Sequence, residues 1–310
     1  MPVDAGTIKW LENCKALSVY FDEPMDRHTS FRVGGPADLI VEPETTETLM
    51  ILLDGAWKRR LPVTVVGGGT NLLVNDNGIR GMVIKIKRGF NTFNWSVSTG
   101  KLETGAGVLT KTICRTALQN GLKGINFALG IPGTLGGAIA VNAGAAGGSM
   151  KDVVKSLNII TYEGRIREVE NSQLNFEYRK VCWNLREIAE QGIILKAILT
   201  LEPGDPEKLR AQARNIVRSR KAKQPVGAAC AGSFFKNPET GPPAGALIDR
   251  AGLKGKAMGG AMVSKKHANF LINTGNATAQ DILNLMSHVQ ETVFRTFNIA
   301  LKPEVRFLGF

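Results

Sequence analysis

The chain is poor in the residues that most often announce a metal or a disulfide. It has three histidines, His28, His267 and His288, and no two stand at a metal-ligand spacing. Its four cysteines, Cys14, Cys114, Cys182 and Cys230, lie far apart with no Cys-x-x-Cys pair. That pattern argues against a disulfide frame or a zinc site and for reduced thiols in a cytosolic setting. There is no Gly-x4-Gly-Lys-Ser/Thr, no Gly-x-Gly-x-x-Gly opening a helix after a first strand, and no Gly-x-Ser-x-Gly. A P-loop nucleotide triphosphatase, a standard Rossmann dehydrogenase and an elbow-type serine hydrolase are therefore poor fits. The N-terminal MPVDAGTIKWLENCKAL reads as a short amphipathic helix and lacks the basic start and apolar run of a secretory signal. No internal repeat or low-complexity tract interrupts the 310 residues, enough for two or three domains with real cores.

What the chain has in excess is glycine, 35 residues in bunches. The stretch 124–150, GINFALGIPGTLGGAIAVNAGAAGGSM, carries no charge over 27 residues, a length that would cross a bilayer. Composition excludes that reading: eight of the 27 are glycine, Pro132 sits inside, and only seven are Leu, Ile, Val or Phe. Uncharged, glycine-rich main chain suits close approach to a large ligand in a partly dry cavity, with a plain core connection as the alternative. Gly67-Gly68-Gly69-Thr70-Asn71 directly follows the strand pattern PVTVV, where successive N–H groups can form an anion nest or simply a tight turn. Gly105-Ala106-Gly107 precedes a helix over 108–120. Three such clusters suggest one elongated ligand with a diphosphate in its middle.

Hydrophobic periodicity gives an α+β order. ADLIVEP is a strand, and TTETLMILLDGAWKRR a Thr-capped helix with Leu49, Leu52, Leu53 and Trp57 on its apolar spacing. MVIKIK alternates as a half-buried strand. DVVKSLNIITYEG and RIREVE form a hairpin turning at Glu163-Gly164, followed by the strand IILKAILTLEPG. Glu202-Pro203-Gly204-Asp205-Pro206 is the best linker and the main boundary. Beyond it come a basic helix, the helix PAGALIDRAGL, the strand HANFLINTG, a long helix TAQDILNLMSHVQETVFRTFN and a last strand PEVRFLGF. The boundaries are 1–27 for a lead-in, 28–203 for a first domain in two lobes (about 28–88 and 89–203) and 204–310 for a second. The net charge of +12 points to anionic partners. Arg210, Arg214 and Arg218 share one helix face, read as solvated, since no aromatics interleave to make a nucleic-acid stripe. Two further polar groupings stand out, Ala231-Gly232-Ser233-Phe234-Phe235-Lys236-Asn237-Pro238 before an apolar strand and Tyr178-Arg179 at a loop end. Neither decides anything alone.

GGGTNLL at 67–73, GIPGTLGGAIAVNAGA at 130–145, AGSFFKNP at 231–238 and KHANFLIN at 266–273 give the chain a family resemblance, from His28-Thr29-Ser30-Phe31-Arg32-Val33-Gly34-Gly35-Pro36 to Pro303-Glu304-Val305. It resembles the UDP-N-acetylenolpyruvoylglucosamine reductases (MurB), bacterial flavoenzymes of peptidoglycan synthesis, in the shorter subtype without a tyrosine-bearing lid insertion. The resemblance implies an α+β fold, with an FAD-binding region of the vanillyl-alcohol-oxidase type in two subdomains and a C-terminal substrate-binding domain. It implies non-covalent FAD, held by Gly67, Gly68, Gly69, Thr70, Asn71, Leu72, Gly105, Gly107, Gly130, Ile131, Pro132, Gly133, Thr134, Gly136, Gly137, Ala138, Asn142, Ala143 and Gly144. NADPH reduces the flavin and leaves; UDP-N-acetylglucosamine enolpyruvate then takes a hydride at its terminal methylene.

In that chemistry Arg179 binds the substrate carboxylate as charge grows there, and Glu304 joins it, protonated or sharing a proton. Ser233 donates the proton to the second carbon, and Tyr178, Lys236 and Asn237 hold the substrate and its diphosphate. The implied enzyme is a cytoplasmic UDP-N-acetylmuramate dehydrogenase, capable of working as a monomer, with no nucleic-acid partner and no membrane insertion. The chain departs from the family pattern in Lys180-Val181-Cys182 after the arginine and in His28, where Asn is common. Two rival readings remain at this level. One is another FAD oxidase or dehydrogenase of the same fold, whose flavin would stay attached after acid precipitation. The other is a non-catalytic nucleotide-binding or nucleic-acid-binding module, which would show no flavin absorbance and a DNA affinity that collapses with salt.

Overall fold

The computed structural model describes residues 3–96, 99–145, 147–183 and 192–310. They form two compact units, each discontinuous in sequence. The first takes residues up to Phe21 together with Leu39–Gly68 and Gly81–Val217; the second takes Asp22–Asp38, Gly69–Arg80 and Arg218–Phe310.

In the first unit a sheet runs in the order Leu17–Pro24, Pro36–Pro43, Ile79–Lys85, Val63–Val66. The last two strands are parallel, with Val63 opposite Met82 and Val66 opposite Lys85. The helix Thr46–Arg59 starts where the Thr45 side chain accepts from Thr48 N–H and ends at Arg60 in a left-handed conformation. Its buried stripe is Leu49, Leu52, Leu53 and Ala56. Trp57, expected on that stripe, is instead 81% exposed: one position beyond Ala56, it turns about 100° away from the sheet.

The strand expected to be half-buried is buried throughout from Met82 to Ile86. It is an inner strand of the sheet, and since consecutive residues that point to opposite faces are all buried, both faces are covered and alternation carries no burial information. Lys85 consequently stands 9% exposed, paired with the equally buried Glu42 at 3.3 Å. Lys85→Met strands the Glu42 carboxylate and is expected to cost about 3–5 kcal/mol in urea unfolding, most of it recovered by adding Glu42→Leu.

A second sheet in this unit is antiparallel, in the order Ile166–Glu170, Val154–Thr161, Gly192–Thr200, Lys101–Gly105, Phe93–Ser96. Leu157 pairs with Val169 on one side and Ala197 on the other, within a continuous core that includes Leu102, Ile113, Leu135 and Leu199. The turn of the first hairpin is made by Gly164 at φ 79°, as its sequence demands.

The sequence boundary at 202–206 is not a free linker. Glu202–Pro203 pairs antiparallel with Leu122–Lys123, Gly204 N–H donates to Gly121 O at 2.8 Å, and Lys123 Nζ meets Glu202 at 2.9 Å. These bonds hold the segment in the first unit, and the change of unit comes inside the following helix, Pro206–Lys223, at Val217/Arg218.

The second unit is built on the helix Ala279–Phe297, whose Ile282, Leu285, Val289 and Val293 are fully buried. Its start is capped twice over. Thr278 and Asp281 form a capping box, and Asp76 accepts from Ala279 and Gln280 N–H at 2.7 and 3.0 Å. A three-stranded antiparallel sheet, Ala257–Met258, Ala261–Val263 and Leu271–Asn273, packs in the same core, and Arg306–Leu308 pairs in parallel with Leu72–Val74. Phe31, Phe234 and Phe235 are buried in edge-to-face contact, with centroids 6.2 and 5.1 Å apart.

Candidate functional site

The glycine clusters of the first unit meet. A Cβ on Gly68 would stand 2.8 Å from Gly133 Cα, and one on Gly67 2.4 Å from Thr134 Oγ1, so the loop after Val63–Val66 touches 130–137 only because Gly67 and Gly68 lack side chains. The 105–110 segment joins them: Leu135 N–H donates to Val108 O at 2.8 Å, Gly136 N–H to Ala106 O at 2.9 Å, and Thr110 Oγ1 to Ile131 O at 2.6 Å. Thr134 caps the short helix Leu135–Ala140 by accepting from Gly137 N–H, which places Ala138 and Ala143 in the core behind.

Among the described residues, Gly67 and Gly68 N–H donate to no protein group. They are donors that a diphosphate could take, beside a segment in which glycines leave main chain open to a ligand. Those residues fit a dinucleotide flavin. Gly105 and Gly107 have a different duty: both are buried, their N–H groups donate to Thr92 O and Phe90 O at 2.8 Å, and a Cβ would strike Phe90 O or Lys87 O. They let main chain pack against main chain. Gly69 lies in the second unit at φ 65°, where a Cβ would overlap His28 O, and its carbonyl accepts from Ser30 N–H at 3.0 Å.

Tyr178-Arg179 is the two-residue turn of a hairpin, Leu174–Glu177 with Lys180–Trp183, and not the end of a loop. Arg179 takes φ 60°, Tyr178 is 52% exposed, and the guanidinium lies 5.0 Å from the Tyr178 ring. The tip is fastened to the glycine-rich segment at two points. Arg179 Nη2 donates to Gly144 O at 3.1 Å, and Asn142 Nδ2 donates to Glu177 O at 3.0 Å.

In the second unit Ser233, half-buried, precedes the two buried phenylalanines. The expected apolar strand here is a single bridge, Phe235 with Pro303, flanked by Glu304 N–H to Phe234 O and Lys236 N–H to Lys302 O, each at 2.8 Å. This bridge sets Ser233 and Glu304 on adjacent strands of chain. Asn71 then fixes Glu304: its amide donates to Glu304 O at 3.2 Å and its carbonyl accepts from Arg306 N–H at 3.0 Å. Asn237 Oδ1 accepts from Ala244 N–H at 3.1 Å.

Sequence reasoning missed Asn269. Buried at 4% exposure, it accepts from Phe235 N–H at 2.9 Å and donates to Phe235 O at 2.8 Å, replacing a strand partner for the serine loop. The only signal available was a polar residue inside the otherwise apolar KHANFLIN.

Two family models match the chain, "FAD binding domain" over residues 37–170 and "UDP-N-acetylenolpyruvoylglucosamine reductase, C-terminal domain" over 224–308. A UDP-N-acetylenolpyruvoylglucosamine reductase from Desulfosudis oleivorans is 47% identical, across 99% of this chain and 100% of its own. The chain belongs to the UDP-N-acetylenolpyruvoylglucosamine reductase family. A reductase from Clostridioides difficile is 43% identical across 93% of this chain and 92% of its own. The crystal structure of the reductase from Thermus caldophilus matches with a TM-score of 0.79 at 33% identity, covering 94% of this chain and 98% of that one. As a member of the reductase family this chain is an FAD-dependent oxidoreductase, α+β, with an FAD-binding domain and the reductase C-terminal domain.

Among the described residues no group of His, Cys, Asp and Glu could hold a metal, and no helix is long and apolar enough to cross a membrane. The four cysteines are free thiols, and burial pushes the Cys114 thiol up to about 12. His267 is held below its ordinary range by burial and by Lys254, against the opposing pull of Asp249, while its Nδ1 accepts from Asn269 N–H at 3.2 Å. The unfolded chain therefore binds a proton on His267 that the folded chain refuses. Stability is expected to fall as pH drops below about 6.5, and His267→Gln to flatten that slope in urea titrations at pH 7, 6 and 5.

Proposed function

We propose that the protein reduces UDP-N-acetylglucosamine enolpyruvate to UDP-N-acetylmuramate with NADPH, in the cytoplasm of a bacterium, supplying peptidoglycan precursor. The observation that carries this reading is that Ser233 and Glu304 sit on bridged segments in a region matched by the reductase C-terminal model. That pair has no use in a plain nucleotide-binding module. The first unit supplies the FAD-binding region and the second the substrate-binding domain. Gly67, Gly68, Gly130, Ile131, Pro132, Gly133, Thr134, Gly136, Gly137, Ala138, Ala143 and Gly144 hold the FAD, with Thr70 and Leu72 continuing the first loop.

When bound, FAD supplies the carrier that accepts two electrons from NADPH and returns them as hydride to the enolpyruvyl methylene. The residues act on the other half of the reaction. Arg179 holds the substrate carboxylate through its planar fork and stabilises the negative charge that builds there. Glu304 shares a proton with the same carboxylate, since an ionised partner would oppose that charge. Ser233 gives its hydroxyl proton to the adjacent carbon; the very basic carbanionic centre and a site screened from water make so weak an acid effective. Tyr178, Lys236 and Asn237 bind the UDP portion. The sum is one NADPH, one proton and the enol ether converted to NADP and the lactyl ether.

The reading is tested by steady-state oxidation of NADPH. The rate is expected to depend on the UDP-enolpyruvyl sugar and to saturate with it, and acid is expected to release all the flavin into solution. Turnover with a simple alcohol in place of the sugar, and flavin retained on the acid precipitate, would overturn it.

A further inference from the structure

Asn142 belongs to the glycine-rich segment, and both ends of its side-chain amide are engaged by main chain of the protein itself. It is 8% exposed and takes φ 39°, a left-handed conformation that a non-glycine residue adopts only when its surroundings hold it there. Its Oδ1 accepts from Lys151 N–H at 3.1 Å, and its Nδ2 donates to Glu177 O at 3.0 Å, across 35 residues of sequence. Glu177 is the last residue of the strand before the Tyr178-Arg179 turn. Two residues along, Gly144 O receives Arg179 Nη2 at 3.1 Å.

The same three-residue segment thus grips the hairpin from both sides of its tip, once by the backbone before the turn and once by the guanidinium itself. Gly144 is itself held close to the paired segment 148–149, where a Cβ would stand 2.7 Å from Gly148 O. Arg179 itself is left-handed at φ 60°, a conformation worth holding only if the direction of the side chain matters.

We infer that Asn142 is a positioning residue for Arg179: it fixes the hairpin tip and with it the direction in which the guanidinium meets an anionic carboxylate. The inference rests on the proposed role of Arg179 in holding the substrate carboxylate.

The test compares Asn142→Gly, which accepts the positive φ and removes both side-chain bonds, with Arg179→Ala and the double variant, all as FAD-loaded full chain. Asn142→Gly is expected to retain its flavin and its rate of reduction by NADPH. Reoxidation by the UDP-enolpyruvyl sugar should slow by about 10–100-fold, the size of effect expected from misplacing a binding group. In the Arg179→Ala background the same change should add less than about threefold, because the residue it serves is gone.

Amide hydrogen exchange at 178–180 gives a readout independent of turnover, and should quicken in Asn142→Gly. Loss of flavin, equal slowing of both half-reactions, additive effects or unchanged exchange would each overturn the inference. If Arg179→Ala alone leaves reoxidation intact, the role of Arg179 fails, and the exchange result still decides whether Asn142 holds the hairpin. Should Asn142→Gly not fold, Asn142→Asp keeps the acceptor toward Lys151 and loses the donor toward Glu177, with the same outcomes.

Discussion

Replacing Ser233 with alanine is expected to leave the reduction of bound FAD by NADPH within about twofold of the parent and to slow reoxidation by the UDP-enolpyruvyl sugar by about 10²–10⁴, the usual contribution of a positioned proton donor. That factor corresponds to about 2.7–5.4 kcal/mol of activation free energy. The asymmetry between the two phases follows from the role proposed for the hydroxyl, proton donation to a carbon that is present only once the sugar is bound. The side chain removed is small, and the fold around it stays held by Phe234 and Phe235, both buried, and by the Asn269 amide on Phe235. Anaerobic stopped-flow absorbance separates the phases. Equal slowing of both would place Ser233 on the flavin side and remove it from proton transfer.

Arg179→Ala is expected to reach a comparable size by a different route, with reoxidation falling by about 10²–10³ and the KM for the sugar rising. Both should change under the role proposed for the guanidinium, which is to bind the carboxylate in the ground state and more tightly as charge accumulates on it. Arg179→Lys is expected to recover only part of the loss. An ammonium restores the charge but not the planar fork, and from that backbone position it cannot reproduce the bond to Gly144 O with the same reach. A variant with altered KM but unchanged reoxidation at saturation would reduce Arg179 to a simple binding group.

Local signals in the chain announced much of this architecture. Thr45 and Thr278 begin helices because their hydroxyls accept from the first turn, and Gly164 makes the hairpin turn because it tolerates φ 79°. Each of these is decided within four residues, which is why sequence could show it. The glycine clusters were legible as a group, and their convergence in the first unit explains their number: Gly67, Gly68, Gly133 and Gly136 allow main chain to meet main chain. What stayed hidden depends on partners far away in the chain. MVIKIK looks half-buried until both of its faces are covered, and only then does Lys85 require Glu42. Glu202–Pro203 reads as a linker until Leu122–Lys123 pairs with it.

The site shows the same division. Ser233, Arg179 and Glu304 could be placed by resemblance, whereas the amides that hold them could not. Asn71 reaches Glu304 across 233 residues, Asn142 reaches Glu177 across 35, and Asn269 reaches Phe235 across 34. An amide that bonds the backbone of a distant loop leaves no period, charge pattern or spacing in the sequence. Gly105 and Gly107 mislead in the opposite direction, since a ligand-cradling glycine and one that lets two backbones touch look alike in sequence.

Mixing the NADPH-reduced protein, freed of nucleotide and oxygen, with one equivalent of UDP-N-acetylglucosamine enolpyruvate bears most directly on the proposed activity. The oxidised flavin spectrum should return at a rate that rises with sugar concentration, with one UDP-N-acetylmuramate formed per flavin. A spectrum that returns only on admission of air, or returns without that product, would contradict it.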